Sequence, residues 1–176
     1  MPTTCRTERL TLRPLVAADA PAVFAFAGDR EVTRLMDWEM HVDLADSEAF
    51  IEDVTAGWDD GDDYCWGIEL YDEARIIGTI ACQFDEHGMQ MGYVVAKDHW
   101  RRGFATEAAR AVLDAARDID DVYRFSATCD VENTASVRVL EKIGMRCEGV
   151  LARWSERPNI DDSRIPRDVY MYAWTR

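Results

Sequence analysis

The chain has 176 residues, 48% hydrophobic and 31% charged. That fits one folded domain over residues 1–176 and excludes collagen-like, low-complexity and disulfide-scaffold classes. Asp and Glu number 34 against 20 Lys and Arg, a formal net charge of -14, so the surface repels nucleic-acid phosphates and anionic lipid.

Only two of those basic residues are lysines, Lys97 and Lys142. This acidic, lysine-poor balance is the one expected of a halophilic protein. No apolar run approaches the roughly 18 residues of a membrane span, and no N-terminal cleavage signature appears. The five cysteines (5, 65, 82, 129, 147) and three histidines (41, 87, 99) are scattered, with no Cys-x-x-Cys. A cytoplasmic protein with reduced thiols and no metal site is expected.

Along the chain, Leu10 and Leu12 alternate with Thr11 and Arg13 ahead of Pro14, which predicts a short strand over Arg9 to Leu15. Asp19 is the expected N-cap of a helix carrying Val23, Phe24 and Phe26, with Pro21 in its first turn. A short helix is expected around Val32 and Leu35. A third begins at Ser47, with Phe50, Ile51 and Val54 on one face. Asp59-Asp60-Gly61-Asp62-Asp63 lacks calcium-loop spacing and reads as a solvated acidic turn.

Tyr64 to Tyr71, Ile76 to Phe84 and Met89 to Val95 read as strands, the last two joined at His87-Gly88 as an antiparallel hairpin. Apolar residues at 105, 108, 109, 112, 113 and 116 then repeat at helical period, a stripe that faces a core. Tyr123 to Cys129 is another strand. Asn133 caps a helix carrying Val137, Leu140 and Ile143 and ending at Gly144. Met145 to Trp154 and Val169 to Trp174 are the last strands. The order implies a mixed α/β domain around one sheet.

Two segments carry the chemistry. Trp100-Arg101-Arg102-Gly103-Phe104-Ala105-Thr106-Glu107 joins a strand end to a helix start, where unpaired backbone N–H groups favour a phosphate. Gly103 and Ala105 keep that approach open, and Arg101 and Arg102 add positive charge. An ordinary strand-to-helix turn is the alternative. Neither a P-loop nor a three-glycine dinucleotide fingerprint is present. In the second segment, Asn133 and Ser136 share the first turn of a helix. Either they act on a ligand, or they are a cap and a surface hydroxyl.

In order and spacing, these segments resemble the GNAT superfamily of acyl-CoA N-acyltransferases, in its RimJ/RimL branch, named for N-terminal acetylation of ribosomal proteins. The branch also shows in Thr7-Glu8-Arg9-Leu10-Thr11-Leu12-Arg13-Pro14, Ile77-Gly78-Thr79-Ile80, Gly92-Tyr93, Gly103-Phe104-Ala105-Thr106-Glu107-Ala108 and Asn133-x-x-Ser136-x-x-Val139-Leu140-Glu141-Lys142-x-Gly144-Met145. The resemblance implies a mostly antiparallel sheet of about seven strands flanked by helices, with CoA bound where the fourth and fifth strands splay.

It further implies that backbone N–H groups of the Arg101, Arg102, Gly103, Ala105, Thr106 turn hold the CoA pyrophosphate, with Trp100 in place of the usual first Arg/Gln. Val94-Val95 resembles the edge that pairs with pantetheine and polarises the acetyl carbonyl. Asn133 resembles the cofactor-arm contact, and Ser136 the hydroxyl beside the CoA sulfur, both counted as catalytic. The implied reaction is direct transfer from acetyl-CoA, as co-substrate, to a neutral primary amine, with no cysteine placed for a covalent intermediate.

Gln90 stands where many relatives have a carboxylate base, so no base is assigned. Glu69, Asp37, Glu39 and His41 are candidates through water. The leading acceptor is a peptide N-terminal α-amine. A small amine (amino acid, polyamine or aminoglycoside) is the second reading, and a non-catalytic CoA-binding sensor the third. Arg34, Met36, Trp38 and the stretch Ser155 to Arg167 are candidate acceptor contacts. The expected assembly is a monomer or homodimer, without nucleic acid or membrane.

The net charge of -14 implies self-repulsion that salt screens, since the Debye length falls to roughly 3 Å at about 1 M. The melting temperature is therefore expected to rise from dilute buffer to molar KCl. A flat or falling series in a thermal melt overturns the high-salt reading.

Overall fold

The computed structural model describes residues 1–61, 63–161 and 163–176, without the side chains of Asp59 and Asp60. The expected acidic turn at 59–63 therefore lies partly outside the described residues.

The described residues form eight strands: β1 (Cys5–Arg6), β2 (Leu10–Pro14), β3 (Asp63–Leu70), β4 (Arg75–Asp85), β5 (Gly88–Val95), β6 (Arg124–Asp130), β7 (Arg146–Ser155) and β8 (Arg167–Thr175). They form one sheet in the order β1-β2-β3-β4-β5-β6-β8-β7. Every junction is antiparallel except β5–β6. Seven strands fall where the alternation puts them. The eighth, β1, has only 2 residues, too few to carry an alternation signal.

Helices α1 (Ala20–Ala27), α2 (Arg30–Thr33) and α3 (Leu44–Asp60) cover one face, and α4 (Phe104–Arg117) and α5 (Thr134–Lys142) the other. Strand alternation sorts the two cores. Ile76 and Val94 pack with Val23, Phe26 and Ile51, whereas their chain neighbours Ile77 and Val95 pack with Ala109, Val112 and Leu113. The α4 stripe is buried at Ala108, Ala109, Val112, Leu113 and Ala116, with Phe104 added at its start.

Two expected boundaries move, and one expected cap side chain is bonded elsewhere. Asp19 holds the N-cap position of α1 as expected, but its side chain makes no cap bond there. It lies in a 3-10 turn, accepts from the Val16 N–H at 2.8 Å and pairs with Arg13 at 2.8 Å. The third helix starts at Leu44 rather than Ser47, because the Asp43 side chain accepts from the N–H groups of Ala45 and Asp46 while Asp46 returns the bond to Asp43. Ser47 is instead buried inside that helix. The short helix α2 closes before Leu35. Asn133 caps α5 as its residue type predicts, its Oδ1 accepting from the Ser136 N–H at 3.0 Å, and Gly144 follows in the left-handed region at φ 91.

One knot fixes α4 to the first strands. The Glu107 carboxylate accepts from the Thr7 hydroxyl at 2.6 Å, the Arg9 N–H at 2.9 Å and the Arg9 Nε at 2.7 Å. Arg9 also donates to the Arg102 carbonyl at 3.0 Å and lies over the Phe104 ring. The turn before α4 is thereby held from below. Arg13 makes a second knot, joining Asp19 and Glu69.

Burial raises the Glu107 carboxyl, and the Thr7 and Arg9 hydrogen bonds outweigh it, leaving its pKa below the ordinary value. A depressed folded pKa means stability that is present above the unfolded pKa near 4.3 and lost as pH falls through the lower folded value. Glu107→Gln is expected to cost about 2 kcal/mol at pH 7, with the gap to the parent narrowing below about pH 4. Urea midpoints at both pH values check this; a gap independent of pH sinks it.

Candidate active site

The site begins where the sheet opens. Strands β5 and β6 pair only at Met89↔Phe125 and Gln90↔Ser126. Their bases are close because a Cβ on Gly88, at φ 127, would stand 2.6 Å from the Arg124 carbonyl oxygen. Beyond Gln90 they part. These are the fourth and fifth of the expected strands, renumbered by β1.

The ladder phase says which backbone groups face the gap. Ala96 N–H donates to Ile77, so Val94 and Gly92, in register with Thr79 and Ala81, point their N–H and C=O groups toward β4. Met91, Tyr93 and Val95 point theirs toward β6. Of the expected Val94-Val95 edge, Val95 thus offers its backbone to the gap, and Val94 contributes its side chain. The Trp100 Nε1 donates to the Val95 carbonyl at 2.7 Å, tying the following turn to the strand end.

That turn is shaped for an anion. Arg101 has φ 60 and Gly103 φ 86, two left-handed residues in three positions. The first bond within α4 is Glu107 N–H to Gly103 C=O. Among the described residues, no protein acceptor meets the N–H groups of Phe104, Ala105 or Thr106. Such a row of free donors at the positive end of a helix is an anion-binding concavity. Arg101 and Arg102 are exposed beside it, and the Arg102 guanidinium lies 4.9 Å from the Phe104 ring centre.

The N-terminus of α5 faces the same opening. Gln90, Val94, Asn133 and Ser136 line one cavity of about 450 Å³. The cap occupies Asn133 Oδ1, and its amide nitrogen meets no protein acceptor among the described residues. The Tyr93 hydroxyl is buried with no hydrogen-bond partner of normal geometry. Its polar neighbour is Ser136, whose hydroxyl pulls the phenol pKa down while burial, the larger effect, pushes it up. Sequence reasoning missed Tyr93, although Gly92-Tyr93 was its signal. Arg101, Arg102, Gly103, Ala105 and Thr106 lie outside this cavity, as do Val95 and the acceptor candidate Arg34.

Two distant segments wall the cavity. Met36, Asp37, Trp38, Glu39 and His41 come from the α2–α3 connection, and Arg157 from the segment after β7. Asn159 joins them: its Nδ2 donates to the carbonyls of Thr33 and Trp38, both at 2.9 Å, and its Oδ1 accepts from Met40 N–H at 2.9 Å. Arg164 pairs with Glu39 across the same seam. His41 Nδ1 lies 2.7 Å from the buried Ser47 hydroxyl, and burial lowers the His41 pKa against the opposing charge of Asp46. Glu69 is outside, bound to Arg13 at 2.6 Å, which removes it from the candidate bases.

Cys65, Cys82 and Cys129 line the cavity, where the sequence reading placed no cysteine for a covalent intermediate. Burial pushes their thiols up to about 12, 12 and 11, so near pH 7 they are neutral and poor nucleophiles.

A family model described as "Acetyltransferase (GNAT) domain" matches residues 9–146. The chain is 33% identical over 170 residues to the uncharacterized N-acetyltransferase YoaA of Bacillus subtilis (strain 168), covering 95% of this chain and 93% of YoaA. Among solved structures, a GNAT-family acetyltransferase from Bacillus anthracis superposes with a TM-score of 0.85 at 28% identity, over 98% of both chains. Mycobacterium smegmatis RimJ in complex with CoA-disulfide superposes at 0.79 and 26% identity, over 94% of this chain and 81% of RimJ.

Gly103→Val places a branched side chain at φ 86, straining the turn by about 1–2 kcal/mol and crowding the free N–H groups. The fold is expected to survive and CoA affinity to fall at least about tenfold, ~1.4 kcal/mol. Calorimetric titration with CoA checks this, and unchanged affinity in a folded variant removes the turn from the cofactor site.

Proposed function

The chain belongs to the GNAT acetyltransferase family, and on that premise we propose that it transfers the acetyl group of acetyl-CoA directly to a primary α-amine held in the cavity. The observation that carries the reading is that the β5–β6 gap and the Asn133–Ser136 turn open on one cavity, while the free donors of α4 follow the turn tied to the end of β5.

The residues present fit the coenzyme. The N–H groups of Phe104, Ala105 and Thr106, with Gly103 leaving them open and Arg101 and Arg102 beside them, suit its pyrophosphate. The Val95 backbone suits the amides of its arm, and the amide nitrogen of Asn133 suits one of its carbonyls. Bound there, acetyl-CoA supplies an activated thioester. The Tyr93 N–H faces the gap and is placed to polarise a carbonyl. Ser136 donates a hydrogen bond to the departing sulfur, and the buried Tyr93 hydroxyl supports Ser136 as donor.

Gln90 cannot take a proton at neutral pH. The cavity groups that can include Asp37, Glu39, Asp63 and His41, Asp130 being held ionised, against burial, by Arg167; burial raises the Asp63 carboxyl and keeps His41 a neutral acceptor near pH 7. A weakly assisted amine must supply an appreciable neutral fraction of its own. An α-amine, with reference pKa near 8, is about a tenth free at pH 7, against well under a thousandth for a lysine near 10.4. A peptide N-terminus meets that condition. A small amine is the second reading, favoured by the latched walls around a cavity of about 450 Å³.

Initial rates across about pH 6–9 are expected to favour peptides with a free N-terminus over the same peptides N-terminally blocked and carrying an internal lysine. Preference for the lysine at neutral pH overturns the α-amine assignment. Ser136→Ala is expected to lower turnover by about 10²–10⁴ with acetyl-CoA affinity nearly unchanged; full activity reduces Ser136 to a surface hydroxyl.

A further inference from the structure

Behind the cavity lies an imbalance of buried charge. The Asp130 side chain, at the end of β6, is 0% exposed, and the Arg157 side chain is 4% exposed. Asp130 is already satisfied by others: Arg167 Nε donates to it at 2.8 Å and the Glu132 N–H at 2.9 Å. Arg167 continues to Glu132 at 2.8 Å, and Glu132 to Arg34 at 3.4 Å. The Arg157 Nε stands 3.7 Å from Asp130 Oδ2, within ion-pair range but too far for a hydrogen bond.

The guanidinium of Arg157 is half-bonded. Its Nη1 donates to the Ser155 hydroxyl at 2.6 Å and the Glu156 carbonyl at 2.8 Å. Its Nε is buried without a hydrogen bond, and among the described residues no acceptor meets Nη2. Nε and Nη2 form the edge that grips a carboxylate through two parallel N–H bonds. With Asp130 Oδ2 only at ion-pair distance from Nε, that edge makes no hydrogen bond, and a buried ion so left is costly unless a further acceptor completes it.

Among the described residues lining the cavity, Arg157 is the sole Arg or Lys. The other charged lining groups are the carboxylates Asp37, Glu39, Asp63 and Asp130. One cationic fork among carboxylates matches a ligand with a positive end and a negative end. It does not match a polyamine, which has no use for the fork.

We propose that the Nε/Nη2 edge of Arg157 grips a carboxylate on the acceptor, a few bonds from the amine that is acetylated. This rests on the α-amine reading and narrows it. Two sources share the chemistry: the α-carboxylate of a free amino acid, or an acidic side chain at the start of a peptide.

Two ligand pairs separate the sources: an L-amino acid series against the matching primary amides, and peptide amides beginning with Asp or Glu against those beginning with Asn or Gln. Affinity is measured by calorimetry on CoA-loaded protein, and acetylation by CoA release. In one pair the carboxylate form is expected to bind about 10–100-fold tighter, the size of a charge-assisted pair. That ratio should fall to about one in Arg157→Met and stay reduced in Arg157→Lys, which keeps the charge beside Asp130 and loses the fork. Ratios are compared between proteins, so differences in amine pKa cancel.

Discrimination absent in both pairs, or surviving in Arg157→Met, overturns the proposal and leaves Arg157 a partner of Asp130 alone. Acetylation of amines without carboxylate discrimination keeps the transferase reading and rejects the fork. Carboxylate-selective binding without acetyl transfer does the reverse. If Arg157→Met does not fold, Arg157→Lys and the parent ratio decide.

Discussion

The β5–β6 junction is the one parallel seam in the sheet, and it closes for two residue pairs only. All else at the site follows from that interruption. Each strand carries right-handed twist, so two strands pinned at their bases by the close approach at Gly88 separate toward their other ends. The divergence leaves backbone donors and acceptors of β5 without a strand partner inside a folded domain, a state tolerated only where something else pairs with them. The two helices on the α4–α5 face both direct their N-termini at the opening, adding positive potential from two sides.

The chain is strongly acidic, yet several of its arginines bracket this site. Arg101 and Arg102 flank the turn before α4, Arg9 braces it from behind, and Arg157 and Arg167 converge on Asp130 at the far side. The net charge repels anions, and these arginines offset it locally. The cavity thiols sit in the opposite setting. Cys65 and Cys82 have apolar neighbours and carboxylates near, and burial leads in holding them protonated.

Much of the fold was legible because period and punctuation are local. The α4 stripe, the hairpin at His87-Gly88 and the Asn133 cap are each written within a few residues. The failures are also physical. Ser47 is a good cap by residue type, but Asp43 and Asp46 cap each other reciprocally, and that box closes the helix start one turn earlier. The Asp19 side chain was drawn away by Arg13, six positions back in sequence and on another element. Glu69 looked available as a base until its neighbour on β2, Arg13, claimed it. For the site, the motif residues were legible and their surroundings were not. Tyr93 reaches Ser136 only through the sheet pleat, and Arg157 reaches the cavity only through the tertiary path of a loop with no periodicity.

Asn159 bonds to Thr33, Trp38 and Met40 across separations of 126, 121 and 119 residues. The two walls of the cavity therefore cannot drift independently. A change in one segment alone breaks the amide's bonds and frees buried backbone groups before it alters any ligand contact. Acceptor range in descendants of this chain should shift through paired substitutions, one before α3 and one after β7. A laboratory library that randomises both segments together should accordingly recover new specificities that single-segment libraries miss.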